Sequence, residues 1–438
     1  MNEARNRLPI EPIDRFTFPF RRFLRIEAAA GGILLVFTLC ALIASNSPWS
    51  SAFAAFWDVP VGFQLGAFEF SRSIKHWIND ALMTLFFFIV ALELKRELVL
   101  GELRNPRMAA LSFSAALGGM IVPAALYLLL TIMGGGVGIH GWGTVMATDT
   151  AFVIGCMAIL GDRIPLSLRL FLLSLAIFDD VGAILVIAIG YGDPLNWSAL
   201  AYAAVGLVLT LTMARLGVRG LPAYFAVGGL IWLAVDASGI HPTVVGVVLG
   251  LMTPARSWIS DRRLHAILNR VTAYPPGDHW SGDTKDRQDL QQARTATREA
   301  LSPVERLEIL LHPWVAFLIL PLFALANAVV SITADFHTTL AAAVFVGFVL
   351  GKPLGVFLFS YLAVQFGLAV RPPTVSWTLL AAGGLLTGIG FTMALFIGEL
   401  AFDPDLLNSA KLGIFGASIV AGAAGLLALT WLTRRTSE

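Results

Sequence analysis

Charged residues are scarce in this sequence. Asp, Glu, Lys and Arg supply 13% of its 438 residues, against about 25% in soluble domains. So little polar surface cannot keep a chain of this size in water. With 57% hydrophobic residues, the chain reads as one solvated mostly by lipid. Cysteine is nearly absent: Cys40 and Cys156 both sit in apolar runs, which excludes a disulfide framework or a cysteine metal centre. An excess of either charge is missing too. The net charge of +1 excludes the basic footprint of a nucleic-acid binder. A secretory signal would pair a short basic start with an immediate apolar core. The opening "MNEARNRLPIEPIDRFTFPFRRFLRIE" is long, charged and arginine-rich instead, and is expected to be a cytoplasmic tail over 1–26.

What the sequence does have is long apolar runs. A helix needs about 20 apolar residues to cross the hydrocarbon core. Twelve segments meet or approach that length: 27–45, 74–99, 108–133, 143–160, 164–190, 196–214, 220–236, 241–255, 307–330, 338–367, 375–400 and 409–432. The expected fold is therefore an all-α polytopic membrane protein with twelve transmembrane helices. Basic residues set its orientation. With both termini cytoplasmic, 26 of the 30 Lys and Arg residues fall on the cytoplasmic side, three on the external side, and Lys352 inside a span. Residues 46–73 then form an external loop whose alternating apolar residues suggest a small surface β-hairpin. Residues 256–305, rich in Arg, Asp, Gln and Pro, form a solvated cytoplasmic loop for which no fold is expected. The single membrane unit covers 27–432, and a cytoplasmic tail covers 433–438.

Five charges lie within or near the middle of spans: Asp80, Asp149, Asp179, Asp180 and Lys352. Each costs about 3 kcal/mol at a helix centre, so the set costs about 15 kcal/mol. Such charges face a water-filled cavity or pair with one another. The plainer alternative for any one of them is a structural ion pair or polar clamp. Asp179 and Asp180, in "LAIFDDVGAI", stand about 100° apart around their helix and cannot address one point equally. Lys352, near the middle of the tenth span, lies at a depth where it can meet a carboxylate. Two neighbouring carboxylates repel, and burial adds to the cost of charging both. Such a pair suits a site that holds a cation at one moment and protons at another.

Two spans look interrupted. The fourth, "VMATDTAFVIGCMAIL", carries Thr148, Asp149 and Thr150. The eleventh, "LAAGGLLTGIGFTMALFIGEL", clusters Gly383, Gly384, Gly388 and Gly390. Dense glycine weakens a helix, and Ser, Thr or Asp can satisfy the freed backbone groups. Close packing through small residues is one reading. The other is a pair of broken helices, with a carboxylate against their positive ends and Lys352 against their negative ones.

The segments "INDAL" (78–82), "LELKREL" (92–98), "ATDTAF" (147–152), "AIFDDVGAI" (176–184), "LHPWVAFLILPLFALANA" (311–328), "GKPLG" (351–355) and "GIGFTM" (388–393) resemble, in order, the signature segments of bacterial NhaA-type sodium/proton antiporters. The resemblance covers 27–432. It implies inverted-topology repeats in spans 3–5 and 10–12, and broken spans 4 and 11 crossing at the midplane. The remaining spans would form an interface domain, with a homodimer held through the hairpin at 46–73. Asp180 would be the principal ion and proton carboxylate, and Asp179 would share that work or pair with Lys352. Thr148 and Asp149 would tune the field at the break, with Gly388 and Gly390 in the broken eleventh span. Asp80 would line the external route. Glu93, Lys95, Arg96, Glu97, Arg306 and Glu308 match the alkaline-activation cluster of the family, and His241 matches a histidine tied to pH response. For these residues, and for His312, ordinary interfacial or structural roles stay open. Glu305 stands where the pattern has a basic residue, and the cytoplasmic insert at about 256–303 is enlarged.

The implied activity is secondary transport, with Na+ or Li+ extruded in exchange for H+ across the bacterial inner membrane. The cycle would be electrogenic, pH-regulated and of the alternating-access kind. No cofactor is expected beyond the transported ions, and no partner beyond membrane lipid and a second copy. The rivals are a sodium-coupled symporter of an organic solute, a cation channel, and an intramembrane enzyme. For the last, neither a Gly-x-Gly-Asp protease pattern nor an Asp-Asp-x-x-Asp prenyl-transferase pattern surrounds these aspartates.

Overall fold

The computed structural model describes residues 27–65, 68–192, 194–218, 220–273, 285–331 and 337–435. The expected tail at 1–26, the hairpin tip at 66–67, the middle of the charged loop at 274–284, and 436–438 lie outside them. The chain is mostly helical, and each of the twelve apolar segments holds helix. Among the described residues eight helices are long and apolar enough to cross a membrane. The count rises to ten if two bent pairs each count as one span. Leu221–Asp236 and Val244–Met252 fall short, at 16 and 9 residues. Those lengths give about 24 and 14 Å at 1.5 Å per residue.

The chain divides into two compact units, one of 1–82, 110–191 and 313–438, the other of 83–109 and 192–312. In the first, α1 (Glu27–Ser45) leads to a short helix α2 (Ser50–Trp57). Two antiparallel strands follow, β1 (Pro60–Leu65) and β2 (Phe68–Ser73), in the register Pro60↔Ser73 and Val61↔Arg72. The Trp77 indole donates to the Val61 carbonyl at 2.8 Å. The segment 46–73 thus contains a helix as well as paired strands.

Helix α3 (Ile74–Val99) opens with a π-helical turn, Trp77–Leu82. Helix α4 (Pro106–Met133) ends at "GGGVG", where Gly135, Gly136 and Gly138 take φ of 97°, 79° and 76°, a region closed to most side chains. The chain returns through a 3₁₀ turn, Ile139–Met146, and a short extended stretch into α5 (Thr150–Leu160) and then α6 (Leu166–Gly190). After α6 the chain returns to the second unit, which already holds 83–109 from α3 and the start of α4, and it re-enters the first at 313. There α7 (Thr338–Gln365) contains a π-helical turn, Gly347–Gly351, directly before Lys352. Helices α8 (Trp377–Leu386) and α9 (Phe391–Ala401) are one bent pair, kinked by 54°, and α10 (Pro404–Arg435) closes the chain. The expected C-terminal tail therefore starts inside this last helix.

Glycine sets how closely α4 and α7 pack. A Cβ on Gly118 would fall 2.2 Å from the Gly355 carbonyl oxygen, and one on Gly355 would fall 2.0 Å from that of Gly118. A Cβ on Gly351 would meet Pro123 at 2.7 Å. The backbones touch, as small residues permit in membrane helices, and the helix carrying Lys352 is fixed by that contact.

The second unit corrects one expectation. Residues 256–305 are not a structureless loop: Asp261–Thr272 and Lys285–Ala300 are helices packed on each other. The overall polarity hid a helical period in Leu290, Ala293 and Ala296, of which Ala293 and Ala296 are buried. One apolar stripe suffices for a helix with a partner. Ser302 and Glu305 then form a reciprocal cap on the helix Pro303–Trp314. The Ser302 N–H donates to Glu305 Oε2 at 2.9 Å, and the Glu305 N–H donates to Ser302 Oγ at 3.3 Å. That capping role accounts for an acid at 305.

Candidate functional site

The first unit brings together Thr148, Asp149, Asp179, Asp180 and Lys352. Two interruptions make this possible. Between the 3₁₀ turn and α5 the backbone is extended at Ala147 and Asp149, and α8 stops at Leu386, with four residues between it and the start of α9. The two breaks touch: the Asp149 N–H donates to the Ile389 carbonyl at 2.7 Å, and the Thr148 hydroxyl donates to the Thr387 carbonyl at 3.1 Å.

Asp149 closes two helices at once. Its Oδ1 accepts the Phe152 N–H at 3.2 Å, capping α5. Its Oδ2 accepts the Thr392 N–H at 2.8 Å and the Thr392 hydroxyl, at the start of α9. Each helix N-terminus leaves unpaired N–H groups and about half a positive charge. A single carboxylate, 2% exposed, answers both. The glycines of the second break are required by space rather than backbone angle. Gly390 has φ −89°, yet a Cβ there would lie 2.3 Å from the Phe348 ring. A Cβ on Gly388 would lie 2.8 Å from the Phe348 carbonyl oxygen.

Lys352 answers the opposite pole. Its Nζ donates to the carbonyl of Met146, the last residue of the 3₁₀ turn, at 2.6 Å. It also donates to the Thr148 hydroxyl and to Asp179 Oδ2, the last at 2.5 Å. Both charged side chains are sealed, at 0% and 1% exposure. The second oxygen of Asp179 has no hydrogen-bond partner among the described residues. Asp180, one residue on, turns away: its Oδ2 accepts the Thr150 hydroxyl at 3.0 Å. The neighbours therefore have different partners, as their 100° separation requires. The cluster offers carboxylate and hydroxyl oxygens, the donor set of a hard cation or a proton.

Asp80 lies elsewhere in the first unit, buried in the π-helical turn of α3 and paired with His76 at 2.6 Å. The neighbouring Asn79 exchanges hydrogen bonds with Asn327 at 2.7 and 3.2 Å.

The charges expected to set the pH response belong to the second unit. Arg96 pairs with Glu308 and, at 3.2 Å, with Glu97. The Lys95 ammonium donates to the Leu251 carbonyl. Arg306 pairs at 3.0 Å with Glu299, a residue of the insert that the sequence did not single out. His241 Nδ1 lies 2.8 Å from the Thr243 hydroxyl. Glu93, on the same helix as Arg96, completes the group.

A family model described as Na+/H+ antiporter 1 matches residues 21–429. The chain belongs to the Na+/H+ antiporter 1 family. It is 65% identical over 434 residues to "Na(+)/H(+) antiporter NhaA" of Rhizobium meliloti (strain 1021), covering 99% of each chain. It is 60% identical to "Na(+)/H(+) antiporter NhaA 1" of Acidiphilium cryptum (strain JF-5), covering 98% of this chain and 95% of that one. A third relative, "Na(+)/H(+) antiporter NhaA 2" of Vibrio vulnificus (strain CMCP6), is 55% identical over 99% of this chain and 96% of its own. The Na+/H+ antiporter 1 family is one of transporters, not enzymes, and its apolar helices make this chain a multi-pass membrane protein. The symporter alternative finds no support in it.

Proposed function

We propose that this chain is a sodium/proton antiporter of the bacterial inner membrane, extruding Na+ or Li+ in exchange for H+. The observation that carries the reading is the sealed Lys352–Asp179 pair beside Asp180, where two interrupted helices touch, in a member of this family. Deprotonated Asp179 and Asp180 accept the cation on one side of the membrane, and protons displace it on the other. Asp179 releases Lys352 as it takes either cargo. Two protons against one Na+ move one net charge per cycle, which the membrane potential drives by about 2.3 kcal/mol per 100 mV.

The architecture we assign is twelve spans with cytoplasmic termini. Spans 3–5 and 10–12 are inverted repeats, and spans 4 and 11 are broken at the midplane. Asp80 lies on the external route, the group around Arg96 and Glu308 with His241 sets the pH response, and the external segment 46–73 holds a homodimer. Dye-quench antiport in everted vesicles, run across pH with Na+, Li+ and K+, tests the activity. The native chain is expected to give a Na+- or Li+-dependent pH change. Asp180→Asn is expected to give none at an unchanged membrane level. Retained exchange in that variant overturns the assignment.

A further inference from the structure

Threonines inside these spans mostly satisfy themselves. Thr38, Thr131, Thr210, Thr212, Thr430 and Thr433 each donate to the carbonyl four residues earlier, the usual refuge of a hydroxyl in a helix. Thr150 has no such refuge. It is the first residue of α5; four positions back is Met146, which closes the 3₁₀ turn, lies beyond the extended backbone at Ala147 and Asp149, and gives its carbonyl to Lys352. Its hydroxyl crosses to α6 and donates to Asp180 Oδ2 at 3.0 Å. The residues just before it, Thr148 and Asp149, are already committed to Lys352 and to α9.

We infer that Thr150 is a ligand of the transported cation, supplying the oxygen beside Asp180. A cation the size of Ca2+, Na+ among them, takes oxygen ligands at about 2.3–2.6 Å. Two oxygens 3.0 Å apart can both touch one such ion. While the site is empty, the hydroxyl proton points at the carboxylate. When the ion arrives, the hydroxyl rotates about its C–O bond and presents a lone pair, so no backbone need move. A clamp between α5 and α6 would hold the helices together without altering ion affinity, and the two roles differ in that measurement.

This inference rests on the antiporter reading. Its test is the apparent KM for Na+ and Li+ in everted vesicles at one alkaline pH, comparing Thr150→Val, which keeps the shape, with Thr150→Ser, which keeps the hydroxyl. Valine is expected to raise KM for Na+ about tenfold, the equivalent of about 1.4 kcal/mol, with the maximal signal within about twofold of native. Serine is expected to stay near the native KM. If valine does not reach the membrane at normal levels, Thr150→Ala carries the same expectation. An unchanged KM in the hydroxyl-less variant, or a serine variant as impaired as valine, overturns the ligand role while the antiporter reading stands. No cation-dependent signal from the native chain overturns both.

Discussion

Lys352 and Asp179 are stable in their surroundings only as a pair. Taking two charges out of water costs several kcal/mol per ion, recovered when geometry and hydrogen bonds are good. Removing one partner of such a pair typically costs about 3–5 kcal/mol. Lys352→Ala strands the Asp179 carboxylate and leaves the Met146 carbonyl without its donor. That variant is expected to melt well below the native protein in detergent. Adding Asp179→Asn is expected to restore part of the loss, because the second change removes the stranded charge. Heating followed by size-exclusion chromatography measures both, and a single variant as stable as native would refute the pairing. These charges were legible in the sequence because a carboxylate or ammonium in an apolar run has no cheap explanation. Thr392 in "GIGFTM" was not, and Thr150 in "ATDTAF" reads there only as part of the interruption of its span, not as a partner of Asp180. A threonine in a membrane helix is ordinarily content with its own backbone, and only the break in the helix, a three-dimensional fact, sends these two elsewhere.

At the scale of elements the short helices α5 and α9 depend on one side chain. Each has 11 residues, too few to persist without packing and capping, and Asp149 serves the first turn of both. Losing a cap costs about 1 kcal/mol, up to about 2, and Asp149→Ala removes two. Asp149→Asn keeps one acceptor oxygen, enough to cap one of the two helices, while its amide nitrogen can only donate and the charge that faces the two helix ends is deleted. The alanine variant is therefore expected to be the less stable by about 1–2 kcal/mol in thermal melts. Equal melting temperatures for the two would mean that α5 and α9 do not rely on this carboxylate. The interruptions themselves were foreshadowed by glycine density and by "TDT". Which carboxylate met which helix end was not, because sequence gives the residues at a break but not what lies across from it. The opposite error occurred at 261–300. Polar composition argued for a loop, and two amphipathic helices packed on each other, the second with Ala293 and Ala296 buried, overrode it.

For the whole molecule, the number of crossings has a parity that can be measured. Between the strands at 60–73 and the helical insert at 261–300 run seven helical segments that the twelve-span reading takes through the bilayer. In that reading an odd number puts the two on opposite faces, the arrangement under which 26 of the 30 Lys and Arg residues fall on one side and three on the other. Val244–Met252, at nine residues, is the weakest of the seven. It spans about 14 Å, and a chain that dipped in and back out there would put strands and insert on the same face. Ser71 and Asn269 are both exposed and make suitable reporters in a background with Cys40 and Cys156 replaced. A membrane-impermeant thiol reagent is expected to label Ser71→Cys in intact cells stripped of their outer membrane. Asn269→Cys is expected to be labelled only in everted vesicles. Labelling of both from one side would make the count of crossings between them even. The short helix would then be a partial insertion whose exposed backbone must be buried in protein or line a water-filled cavity.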